Sequence, residues 1–77
     1  MTSEDFQADV RQERRDRERA AQALTDAISA ARDDLATEGL TLRRLELAGH
    51  IEDRDWWDSF YRLRDIADRL IELEGQR

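Results

Sequence analysis

A chain of 77 residues is one domain at most, near the size at which a single core supplies only about 3–5 kcal/mol unless disulfides, metal or association add to it. Cysteine is absent, which removes disulfides, thiolate metal sites and thiol chemistry and fits a reducing, cytoplasmic compartment. The net charge of −6 divides into 10 acids against 6 arginines in residues 1–38 and 9 against 7 in residues 39–77, so neither half carries the basic footprint of a nucleic-acid binder.

No apolar run reaches ten residues and no charged segment precedes a hydrophobic one, so neither a signal peptide nor a membrane span is expected. Proline is absent, and the three glycines, Gly39, Gly49 and Gly75, punctuate long intervals rich in Ala, Leu, Arg and Glu. The chain therefore reads as all-α. Thr2 is placed to cap the first helix with Asp5 three residues on, and Met1 and Phe6 to staple around it. Helix 1 is expected over about 3–37, stopped by Gly39. The segment "LTLRRLELAG" predicts a short helix 2 over about 41–48, stopped by Gly49. Helix 3 should start near Asp53 or Asp55, whose carboxylates suit the positive end of a helix dipole, and run to about Glu74.

Spacing supplies the packing. Helix 3 places Trp56, Phe60, Leu63, Ile66, Ala67, Leu70 and Leu73 on one face, with Arg62, Asp65, Arg69 and Glu72 opposite. Helix 1 shows the same period at Ala21, Leu24, Ile28, Ala31 and Leu35, and again at Phe6 and Val10; Glu13, Arg14 and Arg17 fill the stripe between the two patches. A helix of about 35 residues spans roughly 52 Å and one of about 21 roughly 32 Å, so an antiparallel helix 3 covers helix 1 only to about Arg17. Residues 17–74 then form the hairpin core and residues 1–16 overhang, exposing Phe6 and Val10. Two copies overlapping their overhangs would bury both, with Arg14 and Arg17 laying their stems along the seam. The expected assembly is a homodimer resembling a four-helix bundle or coiled coil.

The overhang begins the run "VRQERRDRERAAQAL", in which five arginines and three acids fall between Arg11 and Arg19. Arg11, Arg15 and Arg19 align at i, i+4 and i+8, but Glu18 sits among them, and Glu13–Arg17 and Arg14–Glu18 are spaced for ion pairs along the helix. With no lysine, no interleaved aromatics and no Gly-rich loop, the run reads as a solvated helix face or a dimer seam, and nucleic acid is not an expected partner.

Catalytic and metal chemistry find little. "HIEDRDWWD" holds the only histidine beside four acids, but a calcium loop counted from Asp53 would need Gly and Glu where Asp58 and Arg64 stand, and zinc would want further His or Cys. No metal or cofactor is expected. Ser3, Ser29 and Ser59 lack a strained turn or oxyanion loop, and Asp33 and Asp34, being adjacent, point different ways on a helix. Helix 2 followed by helix 3 makes a poor helix-turn-helix, because the second would open with Asp53, Asp55 and Asp58 against phosphates. The long–short–medium helix order resembles that of the small all-helical chorismate mutases; their site needs lysine, this chain has none, and no residue is carried over.

One surface remains. Trp57 and Tyr61, one turn apart and displaced from the helix 3 core stripe, continue into Arg64, and these residue types are enriched at binding hot spots. The competing reading is that helix 2 folds over them with Leu42 and Leu45; the intermediate expectation leaves Tyr61 open and Trp57 half covered. The functional expectation is a small acidic, non-enzymatic adaptor or regulator that docks on another protein. A second reading is an inhibitor of the kind encoded by mobile elements, whose acidic face mimics nucleic acid on a nucleic-acid-handling protein. A third is a small helical enzyme or ligand-binding domain, which a bound metabolite would reveal.

Overall fold

The computed structural model describes the backbone from Ser3 to Arg77 and the side chains from Ala8 onward. Among these residues it contains two helices and no strand: α1, Ser3–Leu47, and α2, Arg54–Glu74. They fold back on each other as an antiparallel hairpin with extents of 71 × 15 × 15 Å. The radius of gyration is 20.5 Å; a compact domain of this length would have about 11 Å. The expected Thr2 cap and Met1–Phe6 staple lie outside the described side chains.

The three-helix expectation is corrected to two, because α1 runs through Gly39 without a break and absorbs residues 41–47. A helix-interior glycine costs about 1 kcal/mol relative to alanine. Against that stands a seam with strict 4-3-4-3 spacing that crosses the glycine: Leu24, Ile28, Ala31, Leu35, Glu38, Leu42 and Leu45. Stopping at Thr37 would withdraw Leu42 and Leu45 from α2, and burial of two leucines outweighs one glycine. The chorismate-mutase-like helix order disappears with helix 2.

Gly49 does what was expected of it. Its φ of +84° is left-handed, His50 N–H bonds to Leu45 C=O at 2.9 Å, and Gly49 N–H bonds to Glu46 C=O at 3.1 Å. Those two bonds satisfy the last carbonyls of α1 in a Schellman arrangement. After the turn, Asp53 occupies the position before α2, and its C=O receives the Trp57 N–H at 2.9 Å. Its carboxylate does not cap the helix; it faces His50 Nδ1 at 2.8 Å instead. At the far end Gly75 closes α2 with its N–H on Ile71 C=O.

The two glycines give opposite expected results. A Cβ at Gly39 meets no atom within 4 Å, so Gly39→Ala should raise stability by about 1 kcal/mol. Gly49→Ala should lower it by about 1–2 kcal/mol, because an L-residue must enter the left-handed region. Urea unfolding of the two variants beside the parent checks both; stabilisation at Gly49 or loss at Gly39 would contradict this account of the helix ends.

The core is one seam thick. α2 meets α1 with Trp56, Ser59, Leu63, Ile66, Leu70 and Leu73, in the same 3-4-3-4 spacing that underlies knobs-into-holes packing. Among the described residues only Ile28, Ala31 and Ser59 are buried, because two helices alone can enclose no more than the line between them. The last residues of the chain, Gln76 and Arg77, flank Ala20, Ala21, Leu24 and Thr25, so α1 runs on past its cover from about Arg19 back to Ser3.

Candidate functional site

Two ion pairs mark the two edges of the hairpin. Arg32 Nη2 meets Glu74 Oε1 at 3.0 Å along one edge, and Arg62 Nε meets Glu38 Oε1 at 3.0 Å along the other. The edges differ in kind. Beyond Arg32–Glu74, turning away from the seam, α2 presents Trp57 and Ile71, 37% and 68% exposed. Tyr61, 54% exposed, borders the same side. Leu40 and Leu47, 58% and 72% exposed, stand two residues, about 200° of rotation, from the seam residues Glu38, Leu42 and Leu45, and so lie on the back of α1. Beyond Glu38–Arg62 lie Asp55, Asp58 and Arg69. The hairpin therefore exposes apolar side chains on the Arg32–Glu74 flank of α2 and on the back of α1, and charge on the Glu38–Arg62 flank.

At the start of α2 the aromatics stack in two columns one turn deep. Trp56 lies on Phe60 with ring centroids 5.5 Å apart and planes 10° from parallel, and Trp57 lies on Tyr61 at 5.9 Å. Edge contacts at 4.8 Å between the tryptophans and 5.7 Å between Trp57 and Phe60 lock the columns together. Trp56 fills the intrachain seam, where its Nε1 is buried without a hydrogen-bond acceptor among the described residues. Trp57 is shielded on one flank by Trp56 and Phe60. Leu42 and Leu45 do not fold over it, since they belong to α1 and line the seam. Arg64 is exposed and continues the Trp57–Tyr61 row, so the three residues singled out from the sequence share one surface.

The seam holds one polar cluster that sequence reading missed. Ser59 Oγ, fully buried, donates to Glu38 Oε1 at 2.8 Å, the same oxygen that accepts from Arg62. Burial raises the Glu38 carboxyl, but hydrogen bonds from Ser59 and Arg62, with the charge of Arg62, outweigh it and hold the group below its ordinary 4.5. The signal was available in the spacing: Ser59 falls midway between Trp56 and Leu63, and Glu38 between Leu35 and Leu42. The cluster thus seals a serine in the helix seam with a carboxylate on its hydroxyl.

The arginine run is solvated along its length from Arg11 to Arg19. Neither Glu13–Arg17 nor Arg14–Glu18 closes among the described ion pairs; the contact formed there is Gln12 to Asp16 at 3.1 Å. Of the expected dimer seam, Val10 is half-buried, Arg14 and Arg17 are exposed, and the Phe6 side chain lies outside the described residues. His50 pairs with Asp53, and no group of three or more metal-ligating side chains comes together among the described residues. No helix among them is long and apolar enough to cross a membrane. No protein family, curated protein or solved structure matches the chain.

Proposed function

We propose that the protein is a non-enzymatic protein–protein interaction module, a small acidic adaptor or regulator that acts as a homodimer in the cytoplasm. The observation that carries this reading is the apolar surface that the hairpin leaves exposed. Leu40, Leu47, Trp57 and Ile71 could have been polar at no cost to the α1–α2 seam, yet all four are large, apolar and exposed. Exposed apolar surface rimmed by charge is the mark of a docking face, and Trp, Tyr and Arg are the residues that anchor such faces. The polar groups brought together, Glu38, Ser59 and Arg62 in the seam and His50 with Asp53 at the turn, are spent on structure.

A photo-crosslinking side chain placed at Leu47, exposed on the back of α1 near the turn, tests the reading in cells of the source organism. The expected result is a discrete adduct heavier than two copies of the chain, absent when the same group replaces Arg69 on the charged flank. Adducts of equal yield at both positions, or none beyond self-adducts at Leu47, would defeat the adaptor reading.

A further inference from the structure

α2 carries two heptad-spaced seams, and only one is occupied. The first, Trp56 to Leu73, lies against α1. The second begins one residue later, at Trp57, Phe60, Arg64, Ala67 and Ile71, about 100° around the helix, and repeats the 3-4-3-4 spacing. It is only partly covered: Ile71 is 68% and Trp57 37% exposed and Arg64 is open, while Phe60, stacked on Trp56, and Ala67 are half-buried.

We propose that this second seam takes the same seam of another copy, antiparallel, about a two-fold axis beside Arg64. This rests on the interaction-module reading above and names the occupant of part of its face. The area shows that the hairpin is under-covered. The chain exposes 6451 Å² for a mass of 9.1 kDa. A compact monomer of that mass exposes about 4,900 Å². The excess, about 1,500 Å² per chain, is shared between the overhang of α1, which this dimer leaves exposed, and the open flanks of the hairpin, of which this seam is one.

Side-chain size argues for a second copy and for its direction. The seam is bulky at one end, with Trp57 and Phe60, and slimmer at the other, with Ala67 and Ile71. An antiparallel two-fold sets Trp57 over the partner's Ile71 and Phe60 over the partner's Ala67, so large meets small along the whole contact. A parallel pairing would stack tryptophan on tryptophan and leave two alanines facing across a gap. Charge is balanced at the axis. Arg64 meets the partner's Arg64, but Asp68 stands one turn on in each chain, so two arginines and two aspartates share the centre. This seam lies on α2, away from the overhang of Val10, Arg14 and Arg17, which it leaves projecting from each end of the dimer.

The chain has no native cysteine, so single cysteines report the geometry directly. Sedimentation equilibrium of the purified chain at micromolar concentration is expected to give twice 9.1 kDa. Under mild oxidation Arg64→Cys should form a covalent dimer, whereas Trp57→Cys and Ile71→Cys should not, because the antiparallel arrangement separates each from its copy by about 21 Å along the helix. Ile71→Glu, at a position the monomer fold leaves open, should raise the dimer dissociation constant about 100-fold or more while helicity by circular dichroism is retained. A mass of 9.1 kDa at every concentration overturns the proposal. So does cross-linking at all three positions, which means parallel strands, or cross-linking at Val10→Cys with none at Arg64→Cys, which moves the interface to the overhang. A monomer that still gives the Leu47 adduct would remove this dimer and leave the interaction module standing.

Discussion

Ile28→Ala is expected to cost about 3–4 kcal/mol and to leave the hairpin largely unfolded at room temperature. Truncating a buried isoleucine removes its transfer free energy and leaves a cavity that two rigid helices cannot collapse. In a larger domain the loss would be shared among many buried side chains. Here Ile28 and Ala31 are the only buried apolar residues among those described, and Ile28 alone of the two is fully buried, so one side chain carries a large part of a seam worth about 3–5 kcal/mol in total. The readout has to report the seam rather than helix content, because a 45-residue helix rich in Ala, Arg and Glu keeps residual helicity alone. Tryptophan fluorescence during urea unfolding serves, since Trp56 sits in the seam. Leu40→Ala, at a position 58% exposed, is the control and should shift the midpoint little. A loss under about 1 kcal/mol for Ile28→Ala would mean that the seam is not what holds the helices together.

α2 was legible almost residue for residue, because Asp53, Gly75 and an apolar period of seven agree on where it starts, stops and faces. α1 was legible in period and illegible in length. Gly39 and Gly49 look alike as letters, and reading each as a stop is the natural local inference. Their downstream neighbours distinguish them: Leu42 and Leu45 continue the 4-3-4-3 spacing beyond Gly39, whereas His50, Ile51 and Glu52 abandon it beyond Gly49, where φ turns positive. A decision made over seven residues on each side, with the seam weighed against about 1 kcal/mol of glycine propensity, gives two helices instead of three.

The same local habit hid half of the candidate site. Trp57, Tyr61 and Arg64 stood out by residue type, but Ile71, left off both the core face and the Trp57–Tyr61–Arg64 row, joins them only when Trp56 and Leu70 are assigned to one seam and Trp57 and Ile71 to the next. Leu40 and Leu47 were not singled out, because where they point is set by the uninterrupted phase of α1, and a break at Gly39 would have reset that phase. Correcting the helix count is thus what places both on the back of α1, opposite the seam.

Glu38→Ala is expected to cost about 2 kcal/mol at neutral pH, more than its place near the surface suggests. The carboxylate is 16% exposed and accepts from Ser59 and Arg62 at once. Removing it leaves the fully buried Ser59 hydroxyl without its partner, and an unsatisfied buried donor costs about 1–3 kcal/mol. Replacing both groups, Glu38→Leu with Ser59→Ala, should recover the loss, because an apolar pair of matching size needs no hydrogen bond. Acid supplies an independent check. The folded-state pKa of Glu38 lies below its ordinary 4.5, so its contribution is fully present above that pH and is lost as pH falls through the folded value. Many other carboxylates titrate over the same range, so the quantity to measure is a difference: urea stability at pH 7 minus that at pH 3, for the parent and for Glu38→Gln. The amide still accepts from Ser59 but holds no charge for Arg62, and the parent should lose more stability than this variant on acidification. Equal losses would mean that Arg62 and Ser59 do not hold the carboxylate ionised, and that the polar break in the seam is carried by Ser59 alone.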